Sequence, residues 1–338
     1  MQLLIIGGTV FLGRHLVEAA VARGHSVVLF NRGQHNADLF PELEKLRGDR
    51  DPSQDAGRGL AQLRARHWDA VIDTSGYVPR VVRAAAEALA GAAHYTFIST
   101  ISVYPHFRVA GIDEHVPVAT LDDPTVEDVT GETYGPLKAQ CEAEVSRVFG
   151  ERALIIRPGL IVGPHDPSDR FTYWVDRVAR GGEVLAPQPP GRPVQLIDAR
   201  DLAAWTIQQV EARQAGVYNA TGPATPLGFE QLLETCRAAA GGDARFTWVS
   251  EEFLLEQGVE PWVGLPLWIP SSDADTLGFG SVSCSKALSA GLAFRELAAT
   301  VRDTLAWCAA RGAEHQWRAG ISPARERELL GAWHARGG

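Results

Sequence analysis

A doubly wound α/β domain with a smaller C-terminal lobe is the architecture this sequence predicts, and three observations predict it. Strand-length apolar runs alternate with helical segments through the first half, a Gly-Gly turn follows the first run directly, and Pro and Gly thicken after Pro158. Continuous apolar strands separated by helices of about 10–15 residues imply a parallel sheet covered on both faces, wound by right-handed crossovers. Residues 3–6, 26–30, 69–72, 95–98 and 153–156 read as strands, with a further one ahead of Asp49. Residues 14–23, 81–89 and 132–148 read as helices. Beyond Pro158 come PVQLID (193–198) as a strand, 201–213 as a helix, GVYNA (216–220) as a strand and 229–240 as a helix. A dinucleotide-type domain is therefore expected over residues 1–160. The lobe is expected over 161–338, with the chain returning to the sheet around 193–225.

Composition narrows the function. The chain has 338 residues, 45% of them hydrophobic and 22% charged, enough for one large core plus a lobe. Its formal charge of −9 argues against a general nucleic-acid binder. No stretch approaches the roughly 18–20 uninterrupted apolar residues of a membrane span, and the N-terminus shows no basic, cleavable leader pattern. Cys141, Cys236, Cys284 and Cys308 are widely spaced and match no metal-ligand pattern, so neither a disulfide framework nor a metal is expected. Isolated thiols fit a reducing cytoplasm.

The segment LLIIGGTVFLG (3–13) places Gly7, Gly8, Thr9, Phe11, Leu12 and Gly13 between a strand and a helix start. Free N–H groups and the helix dipole suit a pyrophosphate there. A plain strand–helix turn has the same look, and Val10 stands where a third glycine is usual, so φ must be negative at that position. At the end of the second strand, roughly twenty residues on, the ribose-reading carboxylate is absent. Asn31 and Arg32 occupy the place, which suits a 2′-phosphate and hence NADP(H) over NAD(H), unless Arg32 is only a solvated charge. Asp49, followed by Arg50, either meets the adenine amino group or caps a turn.

Tyr134 and Lys138 stand at i and i+4 on one helix face. An ammonium beside a phenol favours the phenolate and lowers its pKa, which makes Tyr134 a general acid or base near neutral pH. ISTISVY (98–104) delivers the hydroxyls of Ser99, Thr100 and Ser102 to the sheet edge, where one of them can polarise a substrate oxygen.

Taken together these residues resemble an extended short-chain dehydrogenase/reductase of the NAD-dependent epimerase/dehydratase type. The likeness is carried by Gly7-Gly8-Thr9 to Gly13, Asp49, Asp73 to Gly76, Ile98 to Thr100 with Val103-Tyr104, Tyr134 with Lys138, Arg157-Pro158, and Ile197 with Asp201. It covers roughly residues 1 to 225, in the family's order. The resemblance implies Thr100, Tyr134 and Lys138 as the catalytic set, with Lys138 also on the nicotinamide ribose. It further implies that Thr74, Ser75 and Gly76 line the cofactor and that the segment at Pro158 meets the nicotinamide. Two departures stand out. Val10 replaces the middle glycine, and Val194 stands where nucleotide-sugar members carry a diphosphate-gripping arginine, with Arg192 two residues away. Dehydratases of the family add an Asp-Glu pair after the catalytic threonine, and here Ile101 and Ser102 fill those places.

A small-molecule substrate is therefore expected, and neither a nucleic acid nor a membrane partner. The substrate side offers Tyr77, Tyr104, His165 and Arg170. Arg170 either binds a carboxylate or phosphate or pairs with Asp166 or Asp169. Tyr173 and Trp174 read as lobe core ahead of a substrate platform, and the closing SPARERELLGAWH as a packing or homodimer helix. The GGTxFLG loop also resembles that of plastid stem-loop RNA-binding proteins, which leaves a non-catalytic NADP(H)- or RNA-binding protein as the alternative function.

Overall fold

The computed structural model describes residues 1–312 and 315–337. In chain order the elements are β1 (Gln2–Ile6), α1 (Phe11–Ala22), β2 (Ser26–Asn31), β3 (Glu44–Arg47), α2 (Pro52–Asp55), α3 (Arg58–Arg64), β4 (Ala70–Asp73), α4 (Pro79–Ala88), β5 (Tyr95–Ile98), α5 (Tyr134–Phe149), β6 (Ala153–Pro158), β7 (Leu160–Val162), α6 (Arg170–Ala179), β8 (Glu183–Pro187), β9 (Pro193–Val194), β10 (Leu196–Asp198), α7 (Ala199–Glu211), β11 (Gly216–Ala220), β12 (Leu227–Gly228), α8 (Phe229–Ala240) and β13 (Arg245–Val249). The short α9 (Glu251–Glu256) and α10 (Ser285–Ser289) precede α11 (Leu297–Ala310) and α12 (Pro323–Ala335).

Seven strands form one parallel sheet in the order β11-β6-β5-β4-β1-β2-β3. β1 lies between β2 and β4, so the winding reverses beside it and a crevice opens at the carboxyl ends of the strands. Both faces of β1 are buried because its residues alternate between two cores. Leu3 and Ile5 join Leu16 and Val17 of α1 and Leu202 of α7, whereas Leu4 and Ile6 join Val82 of α4 and Val145 of α5. That is why the strands are apolar throughout and not alternating.

The third core belongs to the lobe, where Trp174, Phe229, Phe253 and Trp268 meet between α6, α8 and the parallel pair β8–β13. Tyr173 and Trp174 are 3% and 0% exposed, and Trp174 donates its indole N–H to the carbonyl of Pro266 at 2.7 Å. α12 buries Glu326, Leu329 and Leu330 against this core, with Glu326 paired to Arg177, so the closing helix packs within the chain.

The expectations at residues 193–198 need correction. PVQLID is not one strand: β9 pairs antiparallel with β12, Gln195 turns out of both, and β10 pairs in parallel with β7. An apolar pattern reports burial and does not say which neighbour a strand takes. Four helices begin away from their expected starts, α4 at Pro79 among them. α1 begins at Phe11, α5 at Tyr134 and α7 at Ala199, the last capped by the Asp198 carboxylate on the Arg200 N–H. The four cysteines are unpaired. Among the described residues no helix is long and apolar enough to cross a membrane, and no group of three His, Cys, Asp or Glu is placed to hold a metal.

Candidate active site

A cleft of about 700 Å³ opens over the carboxyl edge of the sheet, lined at one end by the loop after β1 and at the other by Thr100, Tyr134 and Lys138. The loop is built for close approach. Gly7 and Gly8 take φ of +108° and +89°, and a Cβ on Gly7 would stand 2.4 Å from the Thr74 hydroxyl. A Cβ on Gly13 would stand 2.7 Å from the Gly8 nitrogen, so α1 can sit this near the loop only with glycine there. Val10 takes φ −125° at the N-cap, 43% exposed at the cleft lining. No side chain caps α1, so the N–H groups of its first turn face the cleft unsatisfied by protein. A dinucleotide pyrophosphate fits this uncapped helix start.

The far end of the loop differs from expectation in detail. Asn31 donates to the Gly7 carbonyl at 3.0 Å and accepts from the Gly33 N–H at 2.9 Å and from Arg47, so it braces the loop. Arg32 is 57% exposed at the cleft mouth, 3.9 Å from Asp49. Asp49 accepts from the Asp51 N–H at 2.9 Å, the turn-capping role. Arg50 lines the cleft, but its guanidinium is given over to Asp73, through two bonds of 2.7 Å. Gln34 and His35 also line this end and were missed; their one signal is that GQH directly follows Arg32 at the end of β2.

The wall beyond β4 is held from behind. Thr74 donates its hydroxyl to the Ile6 carbonyl at 2.9 Å, and Lys138 donates to the carbonyls of Gly76 and Ile98, both at 2.7 Å. The ammonium lies 4.2 Å from the centre of the Phe97 ring and 5.3 Å from that of Tyr77. Burial pulls the Lys138 pKa down to about 8, with neighbouring carboxylates opposing it.

Tyr134 opens α5, 6.4 Å from the Tyr77 ring, and Thr100 lines the cleft with it. Here an expectation is overturned. The Tyr134 pKa is raised, because burial disfavours the phenolate and Tyr77 adds to this, while Thr100 and Arg170 only moderate it. Lys138 is engaged with two backbone carbonyls and does not set the balance. Tyr134 is thereby held as a phenol, the form that donates a proton. Thr100 accepts from the Ser102 N–H at 3.1 Å, which fixes the hydroxyl at the cleft edge.

Behind this edge runs a buried polar chain that sequence reasoning did not assemble. Ser99 donates to Glu142, Glu142 accepts three bonds from Arg157 at 2.9, 3.2 and 2.6 Å, and Arg157 donates to the Tyr104 hydroxyl at 3.1 Å, which donates to Asn219 at 2.8 Å. Ser99 lines the cleft with its hydroxyl turned to this chain. Tyr104 is 3% exposed and packs with Phe107, so its placement among the substrate groups is corrected. His165 is corrected likewise. It lies beside Trp307 and Arg14, outside the cleft lining, and burial pulls its pKa down to about 4.

Tyr77, 47% exposed, does face the cleft, as do Phe11, Leu12, Pro158 and Pro167. Arg170 is, like His165, outside the cleft lining, and it makes neither of the ion pairs weighed for it. Asp166 accepts from Ser168, and Asp169 from Arg311 and His315. Arg192 is held by Glu251 and by the carbonyls of Ile269 and Gln188, at the rim of a second cavity of about 200 Å³ lined by Trp262, Ile269 and Phe279.

Residues 3–221 match the sequence profile of the NAD dependent epimerase/dehydratase family. A curated relative, the chloroplast stem-loop binding protein of 41 kDa b from Arabidopsis thaliana, is 26% identical over an alignment of 255 residues that covers 71% of this chain. The matched part spans 63% of that relative's length. Among solved structures, a UDP-glucose 4-epimerase superposes with a TM-score of 0.70 at 16% identity, covering 94% of this chain and all of the other. The UDP-glucuronic acid 4-epimerase of Bacillus cereus, in complex with NAD, gives 0.66 at 15% identity, covering 92% of this chain and 99% of that one. At such identities the likeness is one of fold.

Proposed function

Since the chain belongs to the NAD dependent epimerase/dehydratase family, we propose that it is a pyridine-nucleotide-dependent reductase or epimerase acting on a hydroxyl or carbonyl substrate through Thr100, Tyr134 and Lys138. The observation that carries the reading is that the uncapped glycine loop and these three side chains line one continuous cleft. The loop of Gly7 to Gly13 holds the pyrophosphate, Thr74, Ser75 and Pro158 line the dinucleotide while Gly76, buried behind them, anchors Lys138, and Lys138 meets the ribose. The bound cofactor supplies or accepts a hydride. Tyr134 donates or takes the matching proton at the substrate oxygen, and Thr100 hydrogen-bonds the same oxygen. Lys138 stiffens the wall on which this happens and, with a pKa near 8, keeps much of its positive charge at neutral pH.

NADP(H) is the preferred cofactor in this reading. Arg32 offers a charge-assisted partner at the cleft mouth, and Asn31 leaves no carboxylate to repel a 2′-phosphate. Nucleotide sugars are disfavoured as substrates, because Val194 replaces the diphosphate-gripping arginine and Arg192 is engaged within the lobe. Titrating NADPH fluorescence against wild type and Gly7→Trp tests the site: the variant is expected not to bind, and equal affinity would remove the cofactor from this loop. The relative's name favours a second reading, stem-loop RNA binding without catalysis. The charge of −9 opposes it, and filter binding of a stem-loop RNA at low salt decides it.

A further inference from the structure

Arginines withdrawn from solvent in this chain come with carboxylates. Arg50 has Asp73, Arg157 has Glu142, Arg177 has Glu326, Arg192 has Glu251 and Arg311 has Asp169. Among the described residues, Arg170 is the one half-buried arginine with no carboxylate in ion-pairing distance, and its guanidinium donates no hydrogen bond to any of them. The acids beside it in sequence are satisfied elsewhere: Asp169 by Arg311, His315 and the Arg318 N–H, Asp166 by Ser168. What lies against the guanidinium is Trp262, whose ring centre is 5.3 Å away. Stacking of this kind orients a guanidinium while leaving its N–H edge available.

A partly desolvated cation without an anion is unfavourable, so its place needs a reason. Position supplies one. Arg170 is the first residue of α6, where the helix dipole also favours an anion, three residues after Pro167 of the cleft lining. Burial holds the guanidinium below its usual range, opposed by the Asp166 carboxylate and then by Tyr134. We propose that Arg170, which stands outside the cleft lining three residues beyond Pro167, binds an oxyanion at the margin of this cleft and so selects substrates that carry a carboxylate or a phosphate near the hydroxyl or carbonyl on which Tyr134 acts. The guanidinium fork matches either group through two parallel bonds. The inference rests on the reading of the cleft given above.

Calorimetric titration tests it. NADP⁺ is titrated first, into wild type, Arg170→Gln and Arg170→Lys, and equal affinity in all three shows intact folding and an intact cofactor site. That arm bears on the cleft's assignment independently of Arg170. Each protein, with NADP⁺ present and absent, then receives 2-oxobutyrate, its methyl ester and inorganic phosphate. The oxidised cofactor cannot reduce the ketone, so only binding is read. Wild type is expected to bind at least one anion roughly ten- to a hundredfold more tightly than the neutral ester. Which anion it is separates a carboxylate from a phosphate substrate. Arg170→Gln should abolish the difference and Arg170→Lys should keep part of it. The proposal is overturned if no anion binds wild type, if the ester binds as well as the acid, or if Arg170→Gln binds the anion unchanged.

Discussion

Replacing Asp73 by Asn is expected to destabilise the protein by about 3–5 kcal/mol, the usual effect of removing one partner of a buried ion pair. Asp73 is fully buried and its two oxygens accept four bonds. Oδ1 takes Arg50 at 2.7 Å and the Ser75 N–H at 3.1 Å, and Oδ2 takes Arg50 at 2.7 Å and the Tyr95 hydroxyl at 2.8 Å. An asparagine keeps one oxygen, so whichever way its amide turns, an NH₂ faces two donors, and Arg50 loses its anion. The melting temperature should fall on the order of 6–20 °C. Tyr95→Phe removes one donor of the four and should cost only about 1 kcal/mol. Burial pushes the Asp73 carboxyl up, yet the Arg50 guanidinium overcomes this and holds it below the usual carboxylate range. A depressed folded-state pKa contributes stability that is present above about pH 4 and is lost as pH falls through the folded value. The gap between wild type and Asp73→Asn should therefore be widest at pH 7 and narrow in acid. Urea denaturation followed by circular dichroism at pH 7 and pH 3.5 measures it. A variant within 1 kcal/mol of wild type at pH 7, where about 3–5 is expected, or a gap equal at both pH values, refutes the reasoning.

Three further outcomes are expected. Gly13→Ala brings a Cβ to 2.7 Å from backbone, so it should cost roughly 1–3 kcal/mol and weaken NADPH binding, while Gly91→Ala, with nothing within 4 Å, should change neither in fluorescence titration and melting. Burial holds the Asp166 carboxyl up at about 6, so in wild type its contribution to stability declines as pH rises from about 4 to about 6. Asp166→Asn should flatten that part of the pH–stability profile by up to ~3 kcal/mol, and an unchanged profile counts against the burial argument. Arg32→Ala should erase an NADPH preference of roughly ten- to a hundredfold, measured by parallel NADPH and NADH titrations, and a wild type that favours NADH removes the role given to Arg32.

The sheet was legible because its strands are buried on both faces, so Leu3 to Ile6 and Leu154 to Ile156 read as unbroken apolar runs. Residues 193–198 were not, because which partner β9 and β10 take depends on segments far away in sequence. At the site, local chemistry was legible and long-range pairing was not. Gly7, Gly13, Tyr134 and Lys138 could be placed by spacing along a strand–turn–helix and one helix face. Arg50 could not be assigned to Asp73, nor Tyr104 to Arg157 and Asn219, because those partners come together only when β4, β5, β6 and β11 are side by side. The same holds for the Tyr134 pKa: i,i+4 spacing puts Lys138 on the right face, but two carbonyls and the burial of the phenol decide the direction of the shift.

In the proposed function, Tyr134 is the proton donor of a hydride-transfer site. NADPH oxidation by wild type and Tyr134→Phe, across a panel of aldehydes, ketones and 2-oxo acids, tests it most directly. Wild type should turn over at least one of them. Tyr134→Phe should bind NADPH as tightly as wild type and lose ~10²–10⁴-fold in kcat. Lys138→Ala should lose both binding and turnover, and Thr100→Ala less than either. A Tyr134→Phe enzyme that keeps more than about a tenth of the wild-type kcat, where at least ~10²-fold loss is expected, would contradict the claim and move the proton to another group.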